Sequence, residues 1–221
     1  DLHGQAVQKI YLQDDGGVPE AWDALIAELR AENQEAGTLT DVPTRAPRRA
    51  PRSVVADALL AGWSAMTDTH QFYGLLHTHG ATPGQAFLAA EGRYAHALAP
   101  TIAESLLVRA SAESVPLMVF VSNPGCIQIH SGRVQRIVRR GAWINVMDPD
   151  FNLHLHDQRI GSAWAVVKPT EDGDVHSVEL LDDSGEVLVR FFGVRKPGQA
   201  EDPSWRALWD ALVAARSTGE A

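Results

Sequence analysis

The sequence predicts an α+β fold in which a helical first half is followed by a large antiparallel β meander and a C-terminal helix. Three observations predict it. Apolar residues recur near every fourth position through the first half and at every second position from Val115 onward, which separates a helical period from a strand period. The alternating runs are joined by short clusters such as Glu171-Asp172-Gly173 and Asp183-Ser184-Gly185, too brief to hold the crossover helices that parallel strands need. Near the end Trp205, Leu208, Trp209 and Leu212 restore the helical stripe.

Taken in order, Asp1-Leu2-His3-Gly4 reads as a turn and residues 5–12 as a strand without its hairpin partner, so the chain is expected to be a fragment of a longer product. A helix is expected from Pro19, with Trp22, Leu25, Ile26 and Leu29 on one stripe. The same succession recurs near the end. Gly4 matches Gly185, Ile10-Tyr11 matches Phe191-Phe192, and Trp22-Asp23-Ala24-Leu25 matches Trp205-Arg206-Ala207-Leu208, which is an internal repeat. Residues 1–32 then form the tail of a truncated first repeat, strand plus helix. Residues 33–53, with three prolines and Arg45, Arg48, Arg49 and Arg52, form a linker, and residues 54–216 a complete second repeat.

In that repeat helices are expected over 54–66, over 66–80, from the capping-box spacing Thr82-Pro83-Gly84-Gln85, and over 100–110. Strands are expected at 117–122, 126–131, 134–139, 143–147, 151–156, 162–167, 175–181 and 186–192, and a last helix at 203–216.

Composition narrows the function classes. With 45% hydrophobic residues in 221, the chain can bury a sizeable core, and no apolar run reaches the roughly 18 residues of a membrane-spanning helix. No basic-then-apolar leader begins the chain, so a soluble protein without an export signal or membrane insertion is expected. A net charge of -9 argues against nucleic acid as a partner. The single cysteine, Cys126, excludes an internal disulfide and fits a reducing compartment. Serine-elbow, phosphate-loop and paired-cysteine motifs are all missing.

Histidines remain as candidates. In the expected 66–80 helix, with Thr67 or Asp68 as cap and Gly80 as left-handed stop, Phe72, Leu75, Leu76 and His79 share one stripe. His70, Tyr73, Gly74 and His77 share the opposite one. Gly74 leaves a flat patch one turn after His70, where a planar ligand could lie, and His77, about 10 Å further by helix rise, could flank it. The same residues also suit a surface histidine and a tolerated glycine. His154 and His156 lie two apart on a strand, a spacing metals accept, opposite Phe151, Leu153 and Leu155. His130 and His176 have no neighbours arranged around them in sequence and default to structural roles.

The stretches AMTDTHQFYGLL, NPGCIQIHSG, WINVMDPDFNLHLH, WAVVKPTEDGDVHSVELLDDSGEV and FFGVRKPGQ, in this order, resemble the haemin-utilisation proteins of the HemS/ChuS/HmuS type. The resemblance covers nearly all of residues 54–216 and implies one repeat of a HemS-like two-repeat protein. It implies a cytoplasmic protein of bacterial haem uptake that carries haem b or supports its oxidative degradation, with His70 as axial ligand to the iron. Gly74 and His77 would then flank the porphyrin, and Lys168 would meet the haem propionates. The family's arginine on the following helix falls at Pro83, and two polar positions on the 186–192 strand fall at Arg190 and Phe192, so Arg190 is expected to replace part of the lost charge. The first repeat supplies the opposite wall of the cleft in this family; a second copy of the chain, as a homodimer, or a segment in trans would complete it. Further partners implied are a haem-accepting oxygenase and an electron donor, and enzyme status stays open. Two rival readings are a non-enzymatic α+β interaction module and a metal site on His154 and His156.

Overall fold

A computed structural model describes residues 7–12, 19–35, 56–123, 125–196 and 198–216. The chain divides into two units, Asp1–Arg48 with Asn123–Cys126, and Arg49–Ser122 with Ile127–Ala221. In the first unit, α1 spans Pro19–Leu29, opened by a proline whose fixed φ and missing N–H suit a first turn. The strand expected over 5–12 is not found at 7–12, which form a bend and irregular chain. Alternation alone does not make a strand: its backbone groups need a ladder partner, and among the described residues none pairs with 7–12. The turn at 1–4 and most of the linker lie outside the described residues.

The second unit runs α2 (Ala56–Ser64), α3 (Gln71–His79), α4 (Pro83–Ala89), β1 (Ala95–Leu98), α5 (Ile102–Ala112), β2 (Leu117–Ser122), β3 (Ile127–Gly132), β4 (Ile137–Arg140), β5 (Trp143–Met147) and β6 (Asn152–His156). A 3-10 turn at Asp157–Arg159 follows, then β7 (Ser162–Lys168), β8 (Val175–Leu181), β9 (Val187–Gly193) and α6 (Pro203–Ala215). Helices first, antiparallel strands next and a helix last is the order the sequence predicts. One addition is β1, a four-residue strand inside the half read as helical, too short for alternation to register.

The strands form two sheets rather than one continuous meander. Six lie in the order β1-β7-β8-β9-β2-β3 and three in the order β4-β5-β6, every ladder antiparallel. The division follows burial. Ile144 and Val146 of β5 and Leu153 and Leu155 of β6 join Val119, Ala163, Ala165, Val178, Leu180, Val189 and Phe191 of the large sheet, with α5 and α6, in one apolar core. Each valine, leucine, isoleucine or phenylalanine side chain among them, taken fully out of water, contributes about 1.5–3 kcal/mol. Gly193 ends β9 where Trp205 of α6 comes so close that a Cβ would meet the indole at 2.5 Å.

The opposite face of the large sheet is only half covered. Trp164, Val166 and Leu181 pack under α2, α3 and α4 through Leu59, Trp63, Phe72, Leu76 and Phe87. Trp63 stacks on Tyr94 at 5.5 Å, meets Phe72 edge-on at 4.6 Å, and donates its indole N–H to the Val167 carbonyl at 3.0 Å. Toward β9, β2 and β3 no helix among the described residues covers the same face, and Ile127 and Ile129 of β3 are 50% and 54% exposed there. Register places Phe192 opposite Met118 and Arg190 opposite Phe120, so their side chains stand on one surface.

The helix joints follow sequence chemistry. Gly80 sits at φ 59° and ψ 32° and closes α3, and Thr82 and Gln85 form the expected capping box at α4. Thr82→Ala removes that cap; a loss of about 1 kcal/mol is expected, read as a Tm lower by roughly 2–4 °C in a thermal melt.

Candidate functional site

At the edge of the covered half, a cavity of about 220 Å³ is lined by Thr69, His70, Tyr73, Met118, Phe120, Ile127, Lys168, Val175, Arg190, Phe192 and Arg195. That is below the roughly 300–1,000 Å³ of a pocket that encloses its ligand, so the surface can receive one side of a plate-like molecule rather than swallow it.

His70 stands just before α3 rather than inside it. Neither Thr67 nor Asp68 caps the helix: the N-cap position is His70 itself, with no side-chain cap bond. Asp68 closes the preceding turn instead. Its Oδ1 accepts the His70 backbone N–H at 2.7 Å and bonds the ring Nδ1 at 2.6 Å, a two-residue loop typical of aspartate. Those two bonds, backbone first, hold the Asp68 carboxyl below its usual range, and Arg195 adds to the effect. An ionised carboxylate can only accept, so Nδ1 is the donor of this pair, which in a neutral imidazole leaves the lone pair on Nε2. The imidazole is 91% exposed. Gln71 ties the turn further, accepting from the Thr67 backbone N–H at 2.9 Å and donating to Thr67 Oγ1 at 3.1 Å.

Beneath the cavity lies a buried charge cluster. Glu179, at the middle of β8, takes Lys168 Nζ and Ser177 Oγ (3.0 Å) on Oε1 and Arg190 Nε (3.1 Å) on Oε2. Burial pushes the Glu179 carboxyl up, but Lys168 and Arg190 outweigh it and hold it below the usual glutamate range. Burial pulls the Lys168 ammonium below its own range against the attraction of Glu179. Lys168 is therefore not a solvent charge at a strand end: its side chain is 5% exposed. Two cations against one carboxylate leave one net positive charge under the apolar floor, and Arg195 stands at the same wall. Phe120 meets Phe192 edge-on at 5.1 Å and completes that floor.

Of the residues expected from sequence, His70, Lys168, Arg190 and Phe192 come together here, whereas Gly74 and His77 are exposed and do not line the cavity. A Cβ at Gly74 would meet nothing within 4 Å, so no contact in the fold requires glycine there. Sequence reasoning missed Asp68 as a partner of His70, and also Glu179, Arg195, Met118, Phe120 and Ile127. Asp68 had a signal, its position two residues before a histidine.

The other histidines resolve differently. His154 Nδ1 bonds Asn145 Oδ1 at 2.7 Å and His156 lies edge-on to Trp143 at 4.6 Å. Among the described residues no group of three or more His, Cys, Asp or Glu side chains is placed to hold a metal ion. His176 does have arranged neighbours, brought from far along the chain. Its Nδ1 bonds Glu201, its Nε2 accepts from Arg206 Nη1 at 2.6 Å, and Trp209 lies edge-on at 4.7 Å, which pins α6 to β8.

Residues 80–212 match the haemin-degrading HemS.ChuX domain, more than half of the 221-residue chain. The chain belongs to the haemin-degrading HemS/ChuX family. To the hemin transport protein HemS of Yersinia enterocolitica it is 36% identical over 206 residues, and to the hemin transport protein HmuS of Yersinia pestis 35% over 207. Both alignments cover 93% of this chain and 59% of the relative, so the chain spans somewhat over half the length of these HemS/ChuX proteins. Among solved structures, apo-PhuS, a heme-binding protein from Pseudomonas aeruginosa, superposes with a TM-score of 0.83 at 42% identity, covering 89% of this chain and 58% of that one. ChuS, an E. coli heme oxygenase, superposes with 0.76 at 32%, covering 90% and 58%. ChuX, at 10% identity and a TM-score of 0.62 over 73% of this chain and 98% of its own, shares the fold. The family and the α+β architecture expected from the sequence are thus both found. The matched domain begins at Gly80, after the His70 turn.

No helix among the described residues is long and apolar enough to cross a membrane.

Proposed function

We propose that this chain is a haem-binding protein of bacterial haem uptake, with haem as its cargo and His70 Nε2 as the axial ligand to iron. The observation that carries the reading is the Asp68–His70 pair beside an apolar floor. A histidine that binds a metal through one ring nitrogen characteristically donates the other ring N–H to a carboxylate, which fixes tautomer and orientation. Met118, Phe120, Ile127 and Phe192 suit one face of an apolar macrocycle, and the net positive charge of the Lys168–Glu179–Arg190 cluster, with Arg195, suits its carboxylates. The residues present therefore fit the group. Haem b is the form that suits the composition, since a single cysteine cannot supply the paired thioether attachment of c-type haem. The names of the relatives, hemin transport proteins, a heme-binding protein and a heme oxygenase, point the same way.

Within this reading the protein works in the cytoplasm and hands haem to an oxygenase, or takes part in its oxidative breakdown with electrons from an external donor. Bound iron would supply the redox chemistry, while the chain's own residues bind and orient. His70 directs the ligand, Asp68 holds its proton at Nδ1, the apolar floor excludes water from one porphyrin face, and the arginines fix the carboxylate edge. A second copy of the chain, or a segment supplied in trans, would provide the opposite wall. Gly74 and His77, outside the lining, contribute less to the site than the sequence suggests. Titrating haemin into the protein and following the Soret band is expected to give a saturable shift near one haemin per protein surface of this kind; a spectrum indistinguishable from free haemin contradicts the reading.

A further inference from the structure

Glu179 is a buried carboxylate with no direct part in the cavity surface, since its side chain is 1% exposed and it is not among the lining residues. It sits opposite Arg190 across the β8–β9 ladder, and its two oxygens bind the cations of the two flanking strands, Lys168 on β7 and Arg190 on β9. Each cation turns toward α3. Lys168 Nζ lies 4.7 Å from the centroid of the Phe72 ring, and Arg190 Cζ lies 5.2 Å from that of Tyr73. Phe72 and Tyr73 follow His70 by two and three residues and lie in the first turn of α3, where the Phe72 N–H bonds back to the Thr69 carbonyl at 3.2 Å. One carboxylate therefore orders two cations, the cations meet two adjacent rings through cation–π contacts, and the rings belong to the turn that presents the imidazole.

We propose that Glu179 is a positioning residue for His70: through Lys168 and Arg190 it docks the first turn of α3 on the sheet and so sets where the imidazole stands. Only the last link rests on His70 being the iron ligand. A different role for the same carboxylate has the opposite consequence. If Glu179 merely neutralised the two cations, its removal would release them to an anionic ligand and tighten binding.

Glu179→Gln in the full chain keeps the shape and an accepting oxygen while removing the charge. Tyr73→Leu, at a half-exposed position where folding tolerates the change, removes one of the two ring contacts. Two readouts are taken. In haem-free protein, amide hydrogen exchange at residues 72–76 is expected to accelerate in both variants while exchange in α5 and α6 stays at the parental rate. With haemin, affinity is expected to fall roughly 10–100-fold in Glu179→Gln, the range for losing the support of a metal ligand, with a smaller fall in Tyr73→Leu and a spectrum that no longer shows a single histidine-bound species. Unchanged exchange in the first turn of α3, or tighter haemin binding by Glu179→Gln, overturns the proposal. If Glu179→Gln does not fold, Tyr73→Leu decides the matter by amide exchange alone, because Tyr73 lines the cavity and its haemin affinity also reads direct contact: faster exchange at residues 72–76 supports the docking of this turn by the cations, and unchanged exchange overturns it. If haemin binding by the parent proves independent of His70, the haem reading falls, and the exchange measurement alone decides whether Glu179 orders this turn.

Discussion

Glu179→Leu is expected to lower the stability of the folded chain by about 3–5 kcal/mol, measured as a reduced midpoint in urea unfolding. The reason is asymmetric burial. Glu179 and Lys168 are 1% and 5% exposed and Arg190 11%, so removing the carboxylate strands two cations away from water with no counter-charge. Replacing all three together, Lys168→Met with Glu179→Leu and Arg190→Leu, is expected to recover most of that loss, because a buried ion cluster and a well-packed apolar one are close in stability. The cluster also predicts the acid limit of the fold. Burial raises the Glu179 carboxyl, and the two cations more than reverse it, so the folded value lies below the ordinary 4.5. A depressed carboxylate contributes stability that is present above its unfolded value and disappears as pH falls through the folded one. The Glu179 contribution is accordingly retained through mildly acidic pH and lost only below about 4.5.

His70→Ala is expected to abolish the haemin-dependent Soret shift while leaving the thermal midpoint within about 1–2 °C of the parent, as for exposed substitutions that change stability by no more than ±0.5 kcal/mol. Its ring is 91% exposed and, among the described residues, its polar side-chain partner is Asp68, itself 56% exposed, so little of the fold depends on it. This separation of binding from folding distinguishes His70 from the buried cluster. His176→Ala would show the reverse, since that buried ring links Glu201, Arg206 and Trp209 and is not among the residues lining the cavity. His154→Ala is expected to leave the Soret titration unchanged.

Local chemistry made much of the fold legible. Gly80, the Thr82–Gln85 box and Pro203 mark helix ends that the structure reproduces, and alternation from Val115 onward marks eight of the nine strands among the described residues within a few positions. The pairing of strands distant in sequence was not legible. Nothing within residues 117–122 says that β2 lies beside β9, or that β4–β6 fold off as a separate sheet, because those choices are made by which apolar faces meet across the core. The candidate site divides in the same way. His70 stood out because it shares a stripe with Gly74 and opposes Phe72, a local fact. Glu179 did not, although its signal exists: the tight turn after Thr170 fixes Lys168 opposite Val175, and alternation then puts Ser177 and Glu179 on the same face as that lysine. Arg195, two residues past the end of β9, becomes part of the cavity only once the sheet is assembled.

The helical stripe also misled in one respect. Treating 66–80 as one helix put His70, Gly74 and His77 in a row, but the chain turns at 67–70 and Asp68 draws the imidazole back toward that turn. His70 therefore faces the open sheet surface beside β9 and β2 while His77 points elsewhere.

If His70 alone of the nine histidines binds iron, a nitrogen-15 spectrum of the histidine side chains recorded before and after one equivalent of haemin shows it without mutation. The paramagnetic iron is expected to shift or broaden the His70 ring signals most strongly, while His154, His156 and His176 keep theirs. Selective loss of the His154 and His156 signals with His70 unchanged would contradict it and move the site to the small sheet.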